Sequence, residues 1–255
     1  MSNEQKLLAV LIDADNIPAR HAESIMREIT TFGEPALRRV YGDWSSPTLA
    51  SWKKVVLELG MVANQETANT KGKNASDIGL VIDAMDILHT GRFDGFVLVS
   101  SDSDFTALAN RLREDGVDVI GIGESKAPVS LRNVCNRFIL IENIIASDTE
   151  VEAKSPKKAP TESGRDAMKS PKANQTTVDK HPPSKVVPLV KKAMRSIDPE
   201  AEWYGLGALG QHIVRASPDF DPRTYGSAKL SDLLTKTGQF EINADDNKLK
   251  VRWKP

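Results

Sequence analysis

The chain has 255 residues, 40% of them apolar, enough for one medium domain and one small one with buried cores. A net charge of −1 excludes a strong general field for nucleic acid, and a single cysteine, Cys135, excludes an internal disulfide. His21, His89, His181 and His212 are scattered without zinc-ligand spacing, and the first apolar run, LLAVLI, is too short for a signal-peptide core or a membrane span. A protein of the reducing cytoplasm that spans no membrane is expected.

Residues 1–146 alternate short apolar runs with segments of helical period, the pattern of a mostly parallel sheet covered by helices. The runs are Leu7 to Ile12, Leu37 to Tyr41, Met61 to Ala63, Phe96 to Val99, Val117 to Ile122 and Phe138 to Ile141. One helix opens at Pro18 and stops at Gly33, and another opens at Pro47 and stops at Gly60, with proline at the start and glycine past the end. A third is expected over Ala75 to His89, with Ile78, Ile82 and Met85 as its apolar face and Asp83 and Asp86 on its solvated one. A fourth covers about Phe105 to Asp115. The fold class is therefore α/β, and chemistry belongs at the carboxyl ends of the strands.

From Ser147 to Ser184 the chain turns to Lys, Pro, Ser, Thr, Ala and Glu, with no aromatic residue, a composition that reads as a disordered linker. The charge changes along the chain. Residues 1–146 carry 15 Lys and Arg against 20 Asp and Glu, the linker 7 against 6, and residues 185–255 carry 12 against 9. In that last segment Val186 to Met194 reads as an amphipathic helix and Leu230 to Leu234 as another, and Phe240 to Ile242 and Leu249 to Trp253 read as a closing hairpin. Helices followed by a hairpin suggest a small winged-helix-like domain. Trp203, Tyr204, Phe220 and Tyr225 read as its core rather than as platforms for bases.

The chemistry lies in the carboxylates. Asp13 ends the first strand, Asp102 and Asp104 follow the fourth, and Asp77 falls in the first turn of the third helix. If the first and fourth strands are neighbours, these groups converge in one crevice. Carboxylates that close together stay ionised only beside a cation, and hard oxygen ligands select magnesium or manganese. Asn16, Ser100 and Ser101 are placed to add polar donors there. Taken singly, Asp102 or Asp104 also reads as a helix cap, and Asp15 as a turn residue. The pair Asp13 and Asp15 also fits the start of a haloacid dehalogenase phosphatase, but Ile17 stands where that chemistry wants a hydroxyl.

The stretches LIDADNIP, KNASDIGLVIDAM and VLVSSDSDFTALANRLREDGVDVIGIG resemble, in order and spacing, the blocks of the NYN domain family of PIN-like nucleases, over roughly residues 5–146. The resemblance implies a PIN-like, Rossmannoid sheet and an acidic, metal-binding catalytic site at Asp13, Asp77, Asp102 and Asp104, with Asn16 as its polar neighbour. It implies metal-dependent endonucleolytic cleavage of RNA by an activated water, leaving a 3′-hydroxyl. Pro188 to Trp253, with EWYGLGALGQHI, SPDFDPRTYGSAKLSDLL and GQFEI, resembles the OST-HTH (LOTUS) domain. That second resemblance implies binding of RNA, a protein partner or a second copy, with Arg223, Lys229, Lys236, Lys248 and Lys250 as the cationic contacts. The same residues also fit an RNA-binding regulator with little or no nuclease turnover.

Overall fold

The structure is a computed structural model that describes residues 5–65, 75–154, 180–245 and 248–254. Six parallel strands build the N-terminal sheet: β1 (Leu7–Asp13), β2 (Glu34–Gly42), β3 (Val62–Gln65), β4 (Gly95–Val99), β5 (Asp118–Gly123) and β6 (Arg137–Leu140). Their order is β3-β2-β1-β4-β5-β6, so the sequence order reverses between β1 and β4. These two pair in parallel from Leu8 opposite Gly95 to Ile12 opposite Val99. A crevice opens beyond the carboxyl ends of strands at such a reversal, and Asp13 stands at its lip.

Both faces of the sheet are covered, so β1 is one unbroken apolar run rather than an alternating strand. Leu8, Val10 and Ile12 pack on α1 (Ala22–Ile29), α2 (Ala50–Glu58) and α6 (Ile141–Lys154) through Ile25, Ile29, Trp52, Val56 and Ile144. Ala9 and Leu11 belong to the opposite layer, with α3 (Ala75–His89), α4 (Phe105–Glu114) and α5 (Val129–Val134). The expected strands and the first four helices are found; α5 and α6 are additional.

The inward face of α3 is not the expected one. Leu80, Ala84 and Ile87 are buried, whereas Ile78 and Ile82 are 62% and 59% exposed. Asp83 lies on the inward stripe and not on a solvated face, because β2 and β3 supply its partners. Arg39 and Tyr41 both donate to its carboxylate, and Asn64 Nδ2 adds a third donor at 3.2 Å. Asp86 is exposed, as expected.

The second unit holds α7 (Val187–Ile197), β7 (Tyr204–Gly205), α8 (Leu206–Ala216), α9 (Leu230–Thr237), β8 (Phe240–Asp245) and β9 (Lys248–Trp253). Its antiparallel sheet runs β7-β9-β8. The core contains Val190, Leu209, Ile213, Leu233, Leu234 and Val251 together with Tyr204 and Phe220. Tyr225 packs against that core, and Trp203 is half-buried, with the Arg252 guanidinium carbon 4.7 Å from its ring centre. The expected linker lies mostly outside the described residues, and its described ends are the last turns of α6 and a 3-10 turn at Pro183–Val186.

The second unit seats against the first. Phe138 N, on the edge strand β6, donates to Pro218 O at 2.8 Å, and Asn143 Nδ2 donates to Thr224 Oγ1 at 2.8 Å. A main-chain bond to an edge strand satisfies a donor that would otherwise face solvent. Among the described residues, no helix is long and apolar enough to cross a membrane.

Candidate metal centre and nucleic-acid surface

Asp13 is 1% exposed, and four donors hold its carboxylate. Oδ1 accepts from the main-chain N–H groups of Asp15 and Asn16 at 3.2 and 3.3 Å. Oδ2 accepts from Asn16 Nδ2 at 2.6 Å and from Ser100 Oγ at 2.9 Å. Burial raises the pKa of this carboxyl above the usual value, while the bonds from Asn16 and Ser100 act the other way by favouring the ionised form. Asn16 and Ser100, expected to face metal or phosphate, are thus the groups that fix Asp13.

The loop after β4 is shaped by similar short-range bonds. Ser100 N donates to Ile122 O on β5, Asp102 N donates to Ser100 Oγ at 3.1 Å, and Asp104 N donates to Asp102 Oδ1 at 2.9 Å. Asp104 occupies the cap position of α4, yet its side chain makes no capping bond, so the simple cap reading fails for it. The Oγ of Ser101 accepts from Glu124 N at 2.8 Å. Gly123 permits this close approach of β4 and β5, because a Cβ there would fall 2.6 Å from Ser100 O.

Asp77, from the first turn of α3, completes the group. One carboxylate oxygen each from Asp77, Asp102 and Asp104 lies within 4.8 Å of the others. The pKa of Asp77 is pushed up to about 6, first by burial and then by the negative charges of Asp13, Asp102, Asp104 and Asp15. Three converging hard oxygens with that mutual repulsion could hold a metal cation. The grouped set is three rather than the expected four. Asp13 stands behind it, close enough to raise Asp77 but with its oxygens already engaged.

The comparisons agree with this geometry. Residues 7–142, more than half of the chain, match the NYN domain, and residues 179–251 match the OST-HTH/LOTUS domain. The chain belongs to the NYN family. NYN domains are nucleases, and the OST-HTH/LOTUS domain is an RNA-binding module.

No curated protein matches the chain. The solved structures similar to it include the following three. One is the crystal structure of a protein of unknown function from Vibrio parahaemolyticus, 19% identical, covering 56% of this chain and 98% of its own, with a TM-score of 0.48. Another is the solution NMR structure of an uncharacterized protein from Nitrosomonas europaea, 29% identical, covering 39% and 93%, with a TM-score of 0.24. The third, Acinetobacter baumannii MurG, is 10% identical, covers 77% and 56%, and has a TM-score of 0.36.

The expected RNA contacts of the OST-HTH domain divide. Lys229, before α9, and Lys236, in its last turn, are exposed, and Lys236 Nζ donates to Gly226 O at 2.5 Å. Lys248 and Lys250 lie two residues apart on β9 and so share one face of the hairpin. Arg223 departs from the expectation. It is 19% exposed and its guanidinium engages Asp221 and, across the domain boundary, Glu28 of α1, which removes it from the open cationic surface.

Proposed function

We propose that this protein is a metal-dependent endoribonuclease, with the NYN domain cutting RNA and the OST-HTH domain holding it. The observation that carries the reading is the convergence of Asp77, Asp102 and Asp104 oxygens within 4.8 Å, beside the strand-end Asp13. In this reading Asp77, Asp102 and Asp104 hold magnesium or manganese, and Asp13 is a fixed negative charge behind them. The cation, when bound, lowers the pKa of a water and neutralises charge developing on the phosphodiester.

The protein's own contribution is placement. Asn16 and Ser100 hold Asp13 in one orientation, and the Asp102 carboxylate is set by its bond from Asp104 N. Such groups, oriented before substrate arrives, need no reorganisation during the reaction. Lys229, Lys236, Lys248 and Lys250 would contact RNA phosphates, and each phosphate neutralised makes binding more salt-dependent. The test is cleavage of labelled single-stranded and hairpin RNAs in magnesium, manganese or EDTA, with Asp13→Asn and Asp104→Asn purified in parallel. RNA that is bound but never cut would favour a regulator that acts by binding alone.

A further inference from the structure

The loop that presents Asp13 and Asn16 also forms one wall of a separate cleft of about 490 Å³, closed on the other side by the start of α2. Ile17 and Leu49 lie buried beneath it, the half-buried Pro18 is its accessible apolar residue, Thr48 and Ser51 offer hydroxyls, and Arg20 brings the one cationic side chain among its lining residues. The two walls are tied together, because Trp52 of α2, 1% exposed, donates from Nε1 to Ile17 O at 2.9 Å. Thr48 is fixed in turn, its N–H donating to Ser46 Oγ at 3.3 Å and its hydroxyl lying 2.7 Å from the same atom. Asn16 belongs to both places, lining the cleft while its amide holds Asp13.

The volume falls in the range of small-ligand sites, about 300–1,000 Å³. The Pro18 ring with hydroxyls beside it suits a heterocyclic base, which presents a flat face and a polar edge. Arg20 is exposed and, among the described residues, pairs with no carboxylate, so its planar guanidinium is open to a phosphate. Asp15, also exposed on the lining, repels further anionic groups and restricts phosphate to the Arg20 side. The cleft thus matches a single nucleotide rather than a polyphosphate.

We infer that this cleft binds the RNA nucleotide adjacent to the scissile phosphate, with its base against Pro18, its polar edge at Thr48 and Ser51, and its phosphate at Arg20. The word scissile rests on the nuclease reading, whereas occupancy of the cleft by RNA does not.

The experiment measures binding of a short fluorescent single-stranded RNA to the full-length Asp104→Asn protein across a salt series, with and without Arg20→Gln or Ser51→Phe. Both added positions are exposed. Arg20→Gln is expected to weaken binding about five-fold and to flatten the slope of log affinity on log salt by about 0.7, the value of one single-strand phosphate. Ser51→Phe, which fills the cleft, is expected to weaken binding without changing that slope. Unchanged affinity and slope in Arg20→Gln would overturn the inference, even if Ser51→Phe fails to fold. If the wild type cuts no RNA but Arg20→Gln shows both effects, the nuclease reading fails and the cleft stands as an RNA site. If the wild type cuts RNA while Arg20→Gln binds as before, the cleft inference alone falls.

Discussion

The guanidinium of Arg223, in the OST-HTH domain, meets the carboxylate of Glu28, in the NYN domain, through two bonds of 2.8 and 3.1 Å. Both side chains are less than one-fifth exposed, and Asp221 supplies a second carboxylate from the arginine's own domain. Burial alone would lower the pKa of Arg223, but the hydrogen bonds to Asp221 and Glu28 outweigh it and raise it. Phe138 N on Pro218 O and Asn143 on Thr224 are further contacts between the two domains.

Removing the arginine should therefore uncouple the domains. Arg223→Ala leaves two carboxylates without their cation, at an expected cost of about 2 kcal/mol after allowing for partial exposure. Arg223→Glu alone should be worse, and combining it with Glu28→Arg should recover part of the loss. Thermal melting and small-angle scattering read the effect, and an Arg223→Ala protein with unchanged melting and unchanged dimensions would contradict it.

The donors to Asp13 should matter to rate more than to binding. Asn16→Ala or Ser100→Ala leaves a buried carboxylate with fewer hydrogen bonds, which favours its protonated form. Loss of a group that orients an active-site residue costs about 10- to 100-fold in activity in metal sites. The expected outcome is a fall in kcat of that size with KM for RNA nearly constant. A change confined to KM would place Asn16 on the substrate instead.

Asp77 gives the apo protein a pH dependence of defined sign. Its folded pKa, about 6, is above the ordinary carboxyl value of 3.8, so between those limits the metal-free native state holds more proton than the unfolded state. The contribution of Asp77 to stability is thus greatest at low pH and is lost as pH rises through about 6. Magnesium should reverse this, because it favours the ionised form. The rise in melting temperature on adding magnesium should then be larger at pH 7.5 than at pH 5, and Asp77→Asn should abolish that difference. An equal rise at both values would remove Asp77 from the metal site.

The central strands β1, β4 and β5 were legible because they are buried on both faces and so read as continuous apolar runs. The adjacency of β1 and β4 was only a condition in the sequence; the sheet order meets it and brings Asp13 to the same end as Asp102 and Asp104. The face of α3 was not legible, since ASDIGLVIDAMDILH is apolar around most of its circumference and offers two stripes of equal period. What selects Leu80, Ala84 and Ile87 is Asp83, whose partners Arg39, Tyr41 and Asn64 come from β2 and β3. Arg223 escaped for the same reason, because its carboxylate partner Glu28 lies 195 positions away. The cleft beside Asp13 carries no sequence signal, being assembled from a loop and a helix start that are separate in the chain.

Leu80→Ala, at a site 2% exposed, should cost about 3 kcal/mol, whereas Ile78→Ser or Ile82→Ser should stay within about 0.5 kcal/mol of wild type. Denaturant unfolding of the three variants distinguishes the two faces directly, and comparable losses at Leu80 and Ile82 would contradict the assignment.

The most direct test of the central claim is a gel of end-labelled RNA incubated with wild-type protein in magnesium, with the same reaction in EDTA and with Asp104→Asn. Discrete internal cuts with magnesium, absent from both controls, are the predicted result. Intact RNA in all three lanes, with binding demonstrated in parallel, would contradict the claim and leave Asp77, Asp102 and Asp104 as an acidic cluster without turnover.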